Sequence, residues 1–319
     1  METFSPIFNQ MLSLFTLIII GFILSRWKFV PDDSAKVLSK IENTLFVPAL
    51  ILFTFINKCN VSVLSSMWKL LLLSCLLWGA LFGISAVVLR YCFPKGTSRK
   101  IALHALGFCN FGFMGNAIMN AVFPEIFFEY TVFTLPFWIM SYVLAPALLI
   151  GDSGEKQTFA VRVKNFFNPM IVAVIVGLFL GLTGWGLKLP KGILSVMETS
   201  GNCMSPIAML FTGLTLGQTD LKELLKRVRL YIVALVKVIA YPLLFILIFM
   251  WIPQNAFVSA TFLKCALCIC AMPTGMGAIV IPVAYGKDSS DAAGLALISH
   301  ALSIITIPLM FMLLQSAVL

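Results

Sequence analysis

The stretch FLKCALCICAMPTGMGAIVIPVAYG, residues 262–286, decides how this chain folds. Apolar arms at residues 262–272 and 278–283 flank the sequence PTGMG at residues 273–277. Proline removes a backbone donor and clashes with the preceding helical turn, and glycine lowers helix propensity. An arm of about 10 residues, at about 1.5 Å per residue, covers roughly half of a 30 Å hydrocarbon core. We therefore predict two half-helices that meet near the membrane midplane, with a proline-kinked spanning helix as the alternative.

The composition is that of an integral membrane protein. Of the 319 residues, 60% are hydrophobic and 11% are charged, whereas soluble domains are about 25% charged. The formal net charge of +9 does not indicate nucleic-acid binding, because the basic residues lie in short loops between apolar segments. The clustered cysteines Cys265, Cys268 and Cys270 have no histidine nearby, so we expect buried packing rather than a metal site.

Apolar stretches separated by short polar connections predict ten membrane spans. Their approximate bounds are residues 8–24, 40–56, 68–88, 100–122, 128–150, 169–184, 193–216, 230–251, 262–286 and 292–315. Sixteen of the 22 Lys and Arg residues lie in connections that follow odd-numbered spans. The positive-inside rule then places those connections, including a loop at residues 151–167, in the cytoplasm and both termini outside. We expect a multi-pass protein of the cell membrane.

Three pairs of short motifs recur at nearly constant separation. They are PxxxLFT at residues 48–54 and 206–212, MG at 114–115 and 276–277, and SxxxxP at 141–146 and 303–308. The offsets are 158, 162 and 162 residues. We predict two five-span repeats, residues 1–150 and 168–319, and an odd number of spans per repeat forces opposite orientations. Inverted repeats of this kind are typical of secondary transporters.

The repeat pairs span four with the broken span nine, so we predict broken helices four and nine that cross. Non-helical backbone is tolerated at that depth only where it packs in protein or lines a wet cavity, because lipid cannot satisfy free N–H and C=O groups. Such breaks form substrate sites in many transporters. The residues we predict to bind substrate are Asn110, Gly112, Gly115, Asn116, Pro273, Thr274, Gly275 and Lys237.

The chain resembles the auxin efflux carrier family in its short-loop prokaryotic form. The resemblance covers essentially the whole chain and rests on NxGxxG at residues 110–115, on MPT at 272–274 followed by YG at 285–286, and on Pro48 and Pro206. It implies a scaffold bundle, a transport bundle, elevator-type alternating access, small organic anions such as carboxylates as substrates, and a homodimer. Ala117 and Ala278 stand where the family often has proline, so we expect the breaks near Asn116 and Pro273.

Four ionisable residues within or near the spans have two interpretations each. Lys237 lies about 12 Å into the membrane, either as an anion partner or as a lysine that snorkels to the interface. Glu198 either carries a coupling proton or lies in the outer interface. His104 and His300 either titrate near neutrality or are packed, hydrogen-bonded histidines.

We expect a secondary active transporter with no cofactor and no enzymatic activity, because no phosphate-binding loop, zinc motif or catalytic triad is present. Its partners would be a small organic anion, membrane lipid and a coupling Na⁺ or H⁺. The alternatives are a sodium-coupled symporter of the bile-acid type and a membrane sensor that binds a ligand without moving it.

Overall fold

The computed structural model describes residues 4–92, 96–150, 169–218, 226–255, 257–284 and 290–319. The predicted cytoplasmic loop at residues 151–167 and the YG pair at 285–286 lie outside these described residues.

The described part of the chain is helical, and its one isolated β-bridge joins Cys109 to Thr274. The α-helices are α1 (Phe4–Arg26), α2 (Ser34–Ile41), α3 (Val47–Lys58), α4 (Val61–Ser66), α5 (Trp68–Cys92), α6 (Thr97–Gly107), α7 (Asn116–Val122), α8 (Phe127–Ile150), α9 (Pro169–Thr183), α10 (Lys191–Gly217), α11 (Val228–Leu235), α12 (Tyr241–Phe249), α13 (Ala260–Ala271), α14 (Gly277–Ala284) and α15 (Ser290–Ala317). Short 3₁₀ turns occupy Pro124–Ile126 and Gly186–Lys188.

Three π-helices interrupt this pattern, at Glu42–Phe46, Phe111–Gly115 and Val236–Ala240. The first connects α2 to α3 and the third connects α11 to α12, so that each forms part of one continuous span. Both are followed two residues later by a proline, Pro48 or Pro242. A proline clashes with the carbonyl one turn earlier, and the wider π turn relieves that clash.

Five helical stretches in the described residues are long and apolar enough to cross a membrane. A sixth is obtained if Phe111–Val122 and Pro124–Ser141, which meet at a bend of 119°, are counted as one span. The apolar helices α9 and α13 are shorter, with 15 and 12 residues. The prediction of an all-helical, multi-pass membrane protein is confirmed, and the count of ten spans in two inverted repeats stays a prediction.

The described helices sort into two packed groups. The first group consists of α1, α2, α3, α9 and α10, and the second contains α5 to α8 and α11 to α15. The groups meet where α1 packs on α7 and α15, where α3 packs on α8, and where α10 packs on the Phe111–Gly115 π-helix. Each group contains helices from both predicted repeats, so residues 1–150 and 168–319 are units of sequence rather than units of packing.

Glycines hold the first group together by direct backbone contact. A Cβ on Gly213 of α10 would lie 2.0 Å from the carbonyl oxygen of Ile18, and one on Gly21 of α1 would lie 2.2 Å from that of Leu210. Small residues allow membrane helices to approach this closely, where van der Waals contact replaces a hydrophobic driving force. The first group therefore has the packing of a rigid unit.

Candidate functional site

The chain leaves helical conformation at two places in the second group. Between α13 and α14 it is extended at Met272, with φ −62° and ψ 143°, and the proline that follows prevents the helix from continuing. Between α6 and the Phe111–Gly115 π-helix it is extended at Phe108, with φ −126° and ψ 108°. We call residues 272–276 the second break and residues 108–110 the first break.

The position of the second break agrees with the sequence prediction, whereas the first break ends at Asn110, the first of the motif residues, and does not lie near Asn116 as expected. Asn116 begins the regular helix α7, and the chain departs from helical conformation six to eight residues earlier. The reason is that the Phe111–Gly115 π-helix joins α7 without interruption, since the backbone N–H of Asn116 bonds to the carbonyl of Phe111. The π-helix contains Gly112 and Gly115, where the sequence predicted that the helix would be interrupted.

The two breaks pair with each other through their backbones. The N–H of Asn110 donates to the carbonyl of Pro273 at 2.8 Å, and the N–H of Gly275 donates to the carbonyl of Phe108 at 3.1 Å. These bonds satisfy backbone groups that neither water nor lipid would satisfy within a membrane. Gly275 is required for this approach, because a Cβ there would lie 2.9 Å from the carbonyl oxygen of Cys109. Predicted site residues from both halves of the chain are thus in direct contact.

Helix α15 supports both breaks from one side. The hydroxyl of Ser299 accepts a hydrogen bond from the backbone N–H of Thr274 at 3.2 Å. The next residue, His300, lies 3.0 Å from the side-chain amide nitrogen of Asn110 through its Nε2 atom. Ser299 could not be identified from the sequence, because a single serine in an apolar helix seldom marks a site. The interpretation of His300 as a packed, hydrogen-bonded histidine is confirmed.

Unsatisfied polar atoms lie at the paired breaks. Of the buried side-chain atoms without a hydrogen-bond partner in the described residues, Oγ1 of Thr274 lies in the second break, Nδ1 of His104 lies in the last turn of α6, and Oδ1 of Asn116 lies at the start of α7. His104 packs its ring against Phe108 at 4.9 Å between centroids. Buried polar atoms almost always have a partner, which is either protein, ordered water or a ligand. These atoms are therefore free to accept or donate a further hydrogen bond.

Lys237 is buried rather than extended to the membrane surface. Its side chain is 1% exposed, and its ammonium donates to the carbonyl of Ile269 at 3.3 Å. The ring centroid of Tyr241 lies 5.6 Å from the same nitrogen. Ile269 is in the last turn of α13, so the lysine also neutralises the carbonyl end of that half-helix. The snorkelling alternative is wrong.

The two glycines of the NxGxxG motif contact α8. A Cβ on Gly112 would lie 2.2 Å from the ring of Trp138, and one on Gly115 would lie 2.1 Å from the hydroxyl of Tyr130. Tyr130 itself donates to the carbonyl of Phe111 at 3.0 Å. Close packing therefore accounts for both glycines, and their role in substrate binding stays a prediction.

The acidic residue singled out from the sequence is on the surface. Glu198 is exposed on α10, whereas Glu42, which the sequence did not single out, is completely buried within the Ser34–Lys58 span. The signal that could have revealed Glu42 is its place six residues before Pro48 in an apolar span. In the described residues, no three His, Cys, Asp or Glu side chains lie together as a metal site would require.

Comparison with known proteins adds two matches. A model of the membrane transport protein family matches the chain in two segments, residues 6–159 and 155–311. An uncharacterized transporter of Methanothermobacter thermautotrophicus is similar to the chain, with 25% identity over 317 residues. That alignment covers 94% of this chain and 96% of the relative.

Proposed function

The chain belongs to the membrane transport protein family, the family of the auxin efflux carriers that it resembles, and we propose that it moves small organic anions. The match and the similar transporter support membrane transport in general. The substrate, the site and the mechanism are our proposal. The single observation that carries it is the pairing of the two breaks beside unsatisfied polar atoms and a buried ammonium.

The chemistry of these groups favours a carboxylate. An ammonium has three donor hydrogens, and among the described residues Lys237 uses one of them, on Ile269. Thr274 contributes a free hydroxyl that can donate a second hydrogen bond. A carboxylate accepts several hydrogen bonds and supplies the negative charge that a buried ammonium needs. Asn116, with its unpaired carbonyl oxygen, would bind a hydroxyl or a water that accompanies the anion.

The two-group packing supports alternating access by movement of one group against the other. The paired breaks belong to the second group, and Phe113 of the Phe111–Gly115 π-helix meets Phe211 of α10 edge to face at 5.5 Å. An aromatic contact without hydrogen bonds can slide at low cost. We propose an elevator-type motion in which the second group carries the site past the glycine-packed first group.

The remaining parts of the proposal follow from the sequence and from the family. We propose a location in the cell membrane with both termini outside and residues 151–167 in the cytoplasm, as the distribution of Lys and Arg favours. A homodimer and a coupling ion, Na⁺ or H⁺, follow the family resemblance.

Counterflow in liposomes tests the proposal. The purified protein is reconstituted into liposomes preloaded with unlabelled acetate, malate or indole-3-acetate, and uptake of the same labelled compound is measured. We expect exchange of at least one probe above the level of protein-free liposomes. Exchange that requires sodium would indicate a sodium-coupled symporter instead.

A thermal-shift screen with the same probes separates a transporter from a sensor. A ligand that binds the folded state stabilises it by about 2.7 kcal/mol at a hundredfold excess over its dissociation constant. Stabilisation without counterflow would indicate a sensor. Neither stabilisation nor counterflow with any probe would contradict the proposal that the substrate is an organic anion.

A further inference from the structure

We propose that Glu42 is a proton-binding site that couples transport to the proton gradient. The proposal rests on the proposed function, but its first test below does not require a substrate. It begins from a carboxyl group in the Ser34–Lys58 span, eight residues or about 12 Å along the helix axis from Ser34, at about 1.5 Å per residue.

The surroundings of Glu42 provide no counter-charge. The side chain is 0% exposed, and neither carboxylate oxygen has a hydrogen-bond partner. An ionised carboxylate in such a place is very costly, whereas the protonated acid carries no charge and needs no ion pair. Ionisable residues within membrane spans are rare, and those that face the interior of the protein usually serve a function.

The elements that pack on the Glu42–Phe46 π-helix are α2, α3, α9 and α10. Their titratable side chains are Lys36, Lys40, Lys58, Lys191, Glu198 and Cys203, and α9 has none. The four lysines and Glu198 are exposed, and Cys203 is partly exposed. None of them pairs with Glu42, so its protonation responds to hydration of the site rather than to a neighbouring charge.

The occupant is a proton rather than a metal ion. Sodium needs several oxygen ligands, and in the described residues Glu42 belongs to no group of three or more His, Cys, Asp or Glu side chains, so we assign the proton as its occupant. A single carboxyl group can nevertheless take up and release one proton without further ligands. Glu42 also begins a π-helix, and π-helical turns are frequent at functional sites.

Helix α10 connects this carboxyl group to the paired breaks. It packs on the Glu42–Phe46 π-helix and also on the Phe111–Gly115 π-helix that follows the first break. Glu42 and the helices that cover it belong to the first group, and α10 is the helix that they share with the second group. Movement of the second group along α10 would expose to water the face of α10 that it leaves, and the proton of Glu42 would leave through that water. Each transport cycle would then carry one proton.

Infrared spectroscopy tests the site without a substrate. At neutral pH exposed carboxyl groups are ionised, so a carbonyl band of a protonated carboxyl that shifts in D₂O reports a buried acid. We expect this band in the wild-type protein and in Glu198→Gln, the matched exposed control, and its loss in Glu42→Gln. A band that persists unchanged in Glu42→Gln, or that is absent from the wild type at neutral pH, would overturn the proposal.

Gradient-driven uptake tests the coupling. With one proton per substrate and the membrane potential clamped at zero, a gradient of one pH unit gives about tenfold protein-dependent accumulation of the exchanged probe (acetate, malate or indole-3-acetate) in the wild type and in Glu198→Gln. Initial uptake by protein-free liposomes is subtracted, because neutral acetic and indole-3-acetic acids also cross the bilayer. We expect no accumulation by Glu42→Gln, although counterflow persists, because exchange needs no net proton movement. Tenfold accumulation by Glu42→Gln would overturn the coupling role.

Two further outcomes are also decisive. If none of the three probes exchanges, the proposed function fails while the infrared band still decides whether Glu42 holds a proton. If Glu42→Gln does not fold, Glu42→Asp keeps a carboxyl group, and we expect its band to shift in frequency; an unshifted band would assign the proton to another residue.

Discussion

The side-chain amide of Asn110 donates to Nε2 of His300 across 3.0 Å, which ties the first break to the middle of α15. The direction of this bond follows from the other face of the ring. Nδ1 of His300 lies 2.7 Å from the carbonyl oxygen of Ala296, which can only accept, so Nδ1 carries the hydrogen and Nε2 of the neutral ring accepts. The orientation of the Asn110 amide is therefore fixed by a helix that also holds Thr274.

Replacement of His300 tests whether it positions Asn110. In His300→Gln the amide oxygen takes the place of Nε2 as acceptor, whereas His300→Ala leaves the buried Asn110 amide without one, at a cost of about 1–3 kcal/mol in the free energy of unfolding. We expect His300→Ala to lower both the melting temperature and counterflow, and His300→Gln to restore most of each. Equal counterflow by the two variants would show that His300 has no positioning role.

The glycines of the NxGxxG motif give a prediction about stability. In Gly112→Ala and Gly115→Ala the added methyl group would overlap Trp138 or the hydroxyl of Tyr130, and such overpacking costs about 1–3 kcal/mol. The matched control is Gly79→Ala in α5, where a Cβ meets nothing within 4 Å. We expect the melting temperatures of Gly112→Ala and Gly115→Ala to fall below that of the wild type and the melting temperature of Gly79→Ala to stay unchanged. Melting temperatures of Gly112→Ala and Gly115→Ala equal to that of the control would mean that the side chains of α8 shift to make room for the methyl group.

Lys237 is expected to serve both the second break and the anion. In Lys237→Met the carbonyl of Ile269 loses its donor, which lowers the free energy of unfolding, and the substrate loses its counter-charge. We expect carboxylate affinity to fall at least tenfold in a titration of the purified protein. Lys191→Met, at the exposed start of α10, is the control. Wild-type affinity in Lys237→Met would restrict the lysine to a structural role.

The seam between α1 and α10 predicts a rigid first group. A methyl group at position 213 would lie 2.0 Å from the carbonyl oxygen of Ile18, so Gly213→Ala must force the two helices apart. Gly192→Ala, in the same helix and in open space, is the control. We expect a fall in melting temperature of several degrees for Gly213→Ala alone. A variant as stable as its control would argue against backbone contact between α1 and α10.

The sequence was sufficient for the helical membrane architecture and for the second break. In a bilayer each backbone group must find a partner within the protein, so long apolar stretches form helices. The PTGMG sequence then interrupts one of these helices. The pattern also placed Asn110, Pro273, Thr274 and Gly275 in the predicted site, and the structure brings these four together. These residues could be predicted because proline and glycine interrupt a helix wherever they lie in the fold.

Other features depend on tertiary contacts that no local pattern records. The support that Ser299 and His300 give to the breaks requires the packing of α15 against them. The burial of Glu42 requires α9 and α10 to cover a span whose own sequence begins with exposed lysines. The first break lies before Asn116 because Gly112 and Gly115 are part of a π-helix that continues into α7. In each case the partner lies far away along the chain.

The hydroxyl of Thr274 offers the most direct test of the central claim that the paired breaks bind an organic anion. It is completely buried and has no hydrogen-bond partner in the protein, so Thr274→Val removes an unsatisfied polar atom at nearly constant volume. Thr306 of α15 also has a buried hydroxyl without a partner, and Thr306→Val is the matched control.

The measurement is the affinity of each purified variant for the carboxylate that the wild type exchanges, together with its melting temperature. We predict that neither variant is less stable than the wild type and that only Thr274→Val loses affinity, by about tenfold or 1.4 kcal/mol, because a hydrogen bond to a charged ligand is lost. Unchanged affinity in Thr274→Val, with the fold intact, would contradict the assignment of the substrate site to the paired breaks.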